Sequence, residues 1–132
     1  MQPRLKSELR VQAILRRATT TGAFASIARR GHAAAGAVFV KSVSADRDVR
    51  VFGPAPGPGT DEAGQPRWTC VSGTDPILDA DAEAYLARYA KADPDFWVIE
   101  IEAGNGEACL DGVIVEDVPI QTDPLIDQVF RR

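Results

Sequence analysis

The chain has little of what catalytic centres are usually made from: one histidine and two cysteines in 132 residues. His32 is therefore the one imidazole that could act as the base of a nucleophilic triad, and no serine sits in a G-x-S-x-G turn. Its setting between a glycine and alanines reads as a solvated loop. Neither H-E-x-x-H nor an EF-hand loop occurs, and no metal and no cofactor is expected. Cys70 and Cys109 are too far apart for C-x-x-C pairing and read as two thiols.

Long hydrophobic runs are also missing. Ala33 to Val40 is broken by Gly36 and falls far short of the roughly 20 residues of a membrane-spanning helix. The start, Met1-Gln2-Pro3-Arg4-Leu5-Lys6, runs into an Arg-studded segment instead of an uncharged apolar one, so it does not read as a secretory signal. The expectation is a cytoplasmic protein without a membrane partner. No internal repeat occurs, and the one biased segment is Gly53-Pro54-Ala55-Pro56-Gly57-Pro58-Gly59. It lacks G-K-[ST], and its prolines remove the N–H groups a phosphate cradle needs, so it reads as a rigid surface loop.

What is present is the balance of an ordinary folded domain, 45% apolar and 26% charged. The length suits one domain over residues 1–132, with a core at about 5–110 and a C-terminal extension at 111–132. The charge is split unevenly. Residues 1–50 hold ten Lys/Arg against three Asp/Glu, and residues 51–132 hold five against sixteen, about +7 and −11. One fold can neutralise such halves against each other, or a basic face can meet an anionic partner.

Periodicity supplies the elements. Val11, Ile14, Leu15 and Ala18 follow the i, i+3, i+4, i+7 spacing of a helix from Ser7, a possible cap, to Thr20. Asp79 and Asp81 at the start and Lys91 at the end suit the dipole of a second helix, Asp79 to Ala92, with Ala82, Tyr85, Leu86 and Tyr89 as its apolar stripe. Strands are expected at Ala23 to Arg30, Ala37 to Val43, Val49 to Phe52, Arg67 to Ser72 and Phe96 to Glu102. The second and third form a hairpin, and Ala108 to Val115 returns beside the fifth. In the fifth, Trp97, Ile99 and Ile101 share the buried face, while Val98, Glu100 and Glu102 share a wet one. The fold class is α+β: a mainly antiparallel sheet of about five strands with the two main helices on one face. Trp97, Ile99, Ile101, Val38, Val40, Ile14, Leu15, Leu86 and Tyr85 should dominate the core.

Four cations, Arg29, Arg30, Lys41 and Arg50, are the candidate anion or partner surface, although strand alternation puts Arg29 and Arg30 on opposite faces. Asp75, Asp79, Asp81 and Glu83 form a dense acidic cluster that a helix start explains without a cation. Asp123-Pro124 opens a short candidate interaction helix with Leu125, Ile126, Val129 and Phe130 on one edge.

Several segments, in order, resemble a known family: Leu5-Lys6-Ser7, Ile14-Leu15-Arg16-Arg17, Gly22-Ala23-Phe24-Ala25, Ala35-Gly36-Ala37-Val38-Phe39-Val40-Lys41, Gly53-Pro54-Ala55-Pro56 and Asp93-Pro94-Asp95-Phe96-Trp97-Val98-Ile99-Glu100-Ile101-Glu102. Together they are similar to the bacterial family called domain of unknown function 1491, over about Leu5 to Leu110. The resemblance implies a small bacterial intracellular protein and brings no site residues with it.

The residues favour a non-enzymatic module that binds a protein partner or a second copy of itself through a sheet edge or the terminal helix. Two alternatives stay open: an anion or nucleic-acid binder using the basic N-terminal half, and an enzyme working through carboxylates such as Asp93, Asp95 and Glu100.

Overall fold

The computed structural model describes residues 6–115. The first apolar stripe becomes helix α1 (Ser7–Thr20), with Val11, Ile14 and Ala18 fully buried and Leu15 partly so. Lys6 is the N-cap residue and offers no side-chain cap bond; the Ser7 hydroxyl instead donates to the Gly36 carbonyl, pinning the helix start to the loop before β2. After the Thr19-Thr20-Thr21-Gly22 stop come β1 (Phe24–Arg29), β2 (Val38–Val43), β3 (Val49–Pro54) and β4 (Arg67–Cys70). Helix α2 (Asp79–Ala92), β5 (Trp97–Glu102) and the two-residue β6 (Val113–Ile114) complete the described chain.

The six strands form one sheet in the order β1-β5-β2-β3-β4-β6. The hairpin of β2 and β3 is antiparallel, as its polar turn requires, but β5 enters beside β2 in parallel register. That pairing follows from the α2 crossover, which brings the chain back to the same end of the sheet before β5 begins. The α+β class and both helices are as expected; the sheet is mixed, and it has six strands instead of about five.

Helix placement differs from the expectation of two helices on one face. Val38, Val40, Trp97, Ile99 and Ile101 pack with Val11, Ile14 and Ala18 of α1, while Phe39, Val43, Val49, Val51 and Val98 pack with Ala82, Tyr85 and Leu86 of α2. Successive strand residues point to opposite sides, so α1 and α2 cover opposite faces of the sheet. The physical reason is visible in β2, where all six residues are buried. A strand apolar on both sides needs two roofs. The face of β5 expected to be wet is likewise half covered, with Val98 buried and only Glu102 exposed.

The expected return strand beside β5 does not form either. Residues 103–112 cross the α1 side of the sheet, and Val113–Ile114 pairs in parallel with β4. Asn105-Gly106 makes a turn, but β5 already has β1 and β2 on its two edges. The position is taken. Residues 125–130 of the candidate interaction helix lie outside the described residues.

Candidate functional surfaces

The four candidate cations go to separate places. Lys41 lies on the α2 side of β2 with its side chain 5% exposed, ion-paired to Asp79, to Glu83 at 2.8 Å and to Glu100 at 3.4 Å. Burial alone would push its ammonium down, but the hydrogen bonds it donates to Asp79 and Glu83 and the charges of Glu100 and Glu83 outweigh it and hold the group well above its ordinary range. Lys41 therefore fastens α2 to the sheet.

Arg29 donates to the Pro94 carbonyl at 2.7 Å and lies 4.6 Å from the centre of the Phe96 ring, and Arg30 lies 5.7 Å from that of Trp97. Both lean on aromatic faces in cation–π geometry. Arg50, on the opposite side of β3 from the α2 core, donates to the Thr74 carbonyl at 3.2 Å and lines a cleft. No single basic surface gathers the four.

Of the three carboxylates named for an enzyme, Asp93 and Asp95 are neighbours and Glu100 is engaged elsewhere. Asp93 accepts the Asp95 backbone N–H at 3.1 Å and faces the Tyr89 hydroxyl at 3.4 Å, and Glu100 is the neighbour of Lys41. Burial, then the Asp93 charge and hydrogen bond, push the Tyr89 phenol up. None of the three lines the cleft. His32 is exposed, and its Nδ1 accepts the Ala34 and Ala35 N–H groups at 3.2 Å each, while its carbonyl accepts Trp97 Nε1–H at 2.9 Å. It organises its own loop. Among the described residues no group of three or more His, Cys, Asp or Glu side chains is placed to hold a metal ion, and no helix is long and apolar enough to cross a membrane.

Two further features depend on contacts between distant parts of the chain. The first is the cleft, about 540 Å³, on the α1 side of the sheet between the β2–β3 hairpin and the segment from Asn105 to Ile114. That segment is an arch with fixed feet. The Ser42 hydroxyl donates to the Gly106 carbonyl at one foot, and at the other Asp111 accepts Arg10 Nε–H at 2.9 Å and Trp68 Nε1–H at 3.0 Å. Arg17 also donates to the Leu110 carbonyl. Cys109 takes a left-handed φ of 55° along the arch, a conformation that surrounding contacts must enforce in a non-glycine residue. No local pattern in residues 103–112 announces these partners, because Arg10 and Asp111 are 101 residues apart.

The second feature is the outer edge of β1, which pairs with β5 on one side and with no described strand on the other. A register shift between Ile27 and Arg29 confines its regular part to Phe24 through Ile27. Ala25 and Ile27 pack on the α1 core, whereas Phe24 is 68% exposed. The alternation of strand residues was legible; the edge position was not, since it depends on where β5 inserts.

A two-helix α+β fold around a six-stranded mixed sheet is the class these elements define. The family described as "Protein of unknown function (DUF1491)" matches residues 5–111, and the chain belongs to it. A crystal structure of a DUF1491 family protein from Caulobacter crescentus CB15 is similar at 38% identity and a TM-score of 0.72, over 84% of this chain and 99% of that one. An NMR structure of a DUF1491 family protein from the same organism matches at 36% identity and 0.72, over 86% and 99%. The solution structure of protein Atu0922 from A. tumefaciens matches at 32% identity and 0.71, over 88% and 100%. No curated protein matches the chain.

Proposed function

We propose that this protein is a non-enzymatic, cytoplasmic binding module that associates with a second copy of itself by strand pairing along the β1 edge. The observation that carries this reading is the row of backbone groups on β1 that no described strand meets, with the Phe24 ring exposed at its start. An unpaired strand edge is a template for another strand, and soluble proteins usually blunt such edges with charge or proline. Phe24-Ala25-Ser26-Ile27 has neither. Antiparallel pairing across a twofold axis satisfies both open edges at once, which is why a second copy is the simplest partner. The dispersal of Arg29, Arg30, Lys41 and Arg50 favours this reading over a nucleic-acid surface, which needs its cations on one face. Two free thiols, Cys70 and Cys109, suit a reducing compartment.

Light scattering after size-exclusion chromatography over a range of concentrations tests the proposal. The full chain should rise in mass towards a dimer, and Phe24→Lys, which puts a charge on the edge, should stay monomeric with its melting temperature little changed. A wild-type chain that is monomeric at every concentration, or a Phe24→Lys chain of the same mass as wild type, defeats it.

A further inference from the structure

The cleft beneath the arch is separate from the β1 edge, and its lining has a chemistry of its own. Helix α1 covers β1, β5 and β2, and on the same side of the sheet Arg50 and Phe52 of β3 line the cleft beneath the arch, with Phe52 also part of the α1 core. The floor thus presents a guanidinium next to an aromatic ring. Arg50 spends one N–H on the Thr74 carbonyl, and among the described residues no carboxylate is ion-paired with it. Nearby on this side of the sheet Arg10 pairs with Asp111, whereas Arg17, like Arg50, donates to a carbonyl. A half-buried guanidinium with donors to spare is a receptor for a planar carboxylate.

The rest of the lining limits what that carboxylate can be attached to. Phe52 on the floor and Leu110 and Ile114 on the arch supply an apolar wall. Asp48 and Glu107 also line the cleft, so its charges sum to −1 with Arg50 included. That net charge opposes a dianion such as phosphate more strongly than a single carboxylate, whose one charge can be met by Arg50 directly. The volume, about 540 Å³, lies within the range of small-molecule sites, about 300–1,000 Å³. The arch is held at both feet before any ligand arrives, so little ordering remains to oppose binding.

We infer that this cleft is a binding site for a small monocarboxylate with an apolar body, its carboxylate on Arg50 and its body against Phe52, Leu110 and Ile114. The site lies on β3 and the arch and does not use the β1 edge, so it stands or falls independently of self-association.

The test is an NMR titration of the full-length chain with phenylacetate, with acetate, inorganic phosphate and benzylammonium as comparisons. Phenylacetate should give saturable shifts at the Arg50 Nε–H and at the Gly106 and Ile114 amides. Arg50→Met should weaken that binding by at least about tenfold, the loss expected when a charge-assisted hydrogen-bonded pair is removed. Its melting temperature should stay near wild type, because Arg50 contributes one hydrogen bond to a carbonyl. No saturable shift, or equal affinity in Arg50→Met, overturns the site. Acetate or phosphate binding as tightly as phenylacetate overturns the apolar body, and benzylammonium shifting the same amides overturns the role of Arg50.

Discussion

Lys41 shows how one residue can look like a ligand site in sequence and act as a fastener in the fold. In β2 it falls between Val40 and Ser42, and its alternation places it under α2, where Asp79, Glu83 and Glu100 converge on it. Two of those carboxylates are more than half exposed, so water screens part of the attraction. Lys41→Met should therefore lower stability by about 1–2 kcal/mol, less than the loss of a fully buried pair. Chemical denaturation at neutral pH measures it. The sign with pH follows from the raised folded-state values of Lys41 and Tyr89. Both contributions are complete below the unfolded-state values, near pH 10, and fall away as pH rises through the higher folded-state ones. A denaturation series from neutral to strongly alkaline pH should show stability falling only above about pH 10, with a shallower fall in Lys41→Met.

Glycine is informative at the same scale. A Cβ on Gly53 would stand 2.5 Å from the Phe39 ring, so the ring of β2 packs directly on the backbone of β3. In sequence, Gly53 reads as the start of the Pro/Gly loop, whereas the fold uses it as the last-but-one residue of a strand.

At the scale of elements, the helices and most strands were legible because their apolar spacing is local: α2 runs from Asp79 to Ala92 as its charges and stripe require. What was not legible is relational. Which roof each face receives depends on β2 and β5 being apolar on both sides, and the alternation of Trp97, Ile99 and Ile101 hid the fact that Val98 is also buried. The arch was missed for a related reason. Its hold comes from Arg10, Arg17, Ser42 and Trp68, all distant in the chain, and Asp111 joins two of them, Arg10 and Trp68. Replacing Asp111 with Ala leaves Arg10 and the Trp68 indole N–H without their acceptor, a loss of about 2 kcal/mol. Amide hydrogen exchange should then accelerate across residues 106–115 and stay slow in β2 and β5. Unchanged protection of the arch would show that its other contacts suffice.

For the whole molecule, part of the uneven charge of the chain is met inside the fold. The ion pairs of Arg10, Lys41 and Arg47 each join a cation from the first fifty residues to a carboxylate beyond residue 78. These three cations thus tie parts of the basic and acidic halves together across one sheet. The topology tightens this further, because β5 inserts between β1 and β2 and cannot pair until α2 has crossed over.

The two-sided core has a spectroscopic consequence. Trp68 and Trp97 both belong to the layer roofed by α1, while Tyr85 and Tyr89 both sit on α2. Indole emission therefore reports on one half of the interior and phenol absorbance on the other. If the sheet holds both layers in a single cooperative unit, the two signals should change at the same denaturant concentration. Separate midpoints would reveal that one helix can peel away while the opposite layer stays intact.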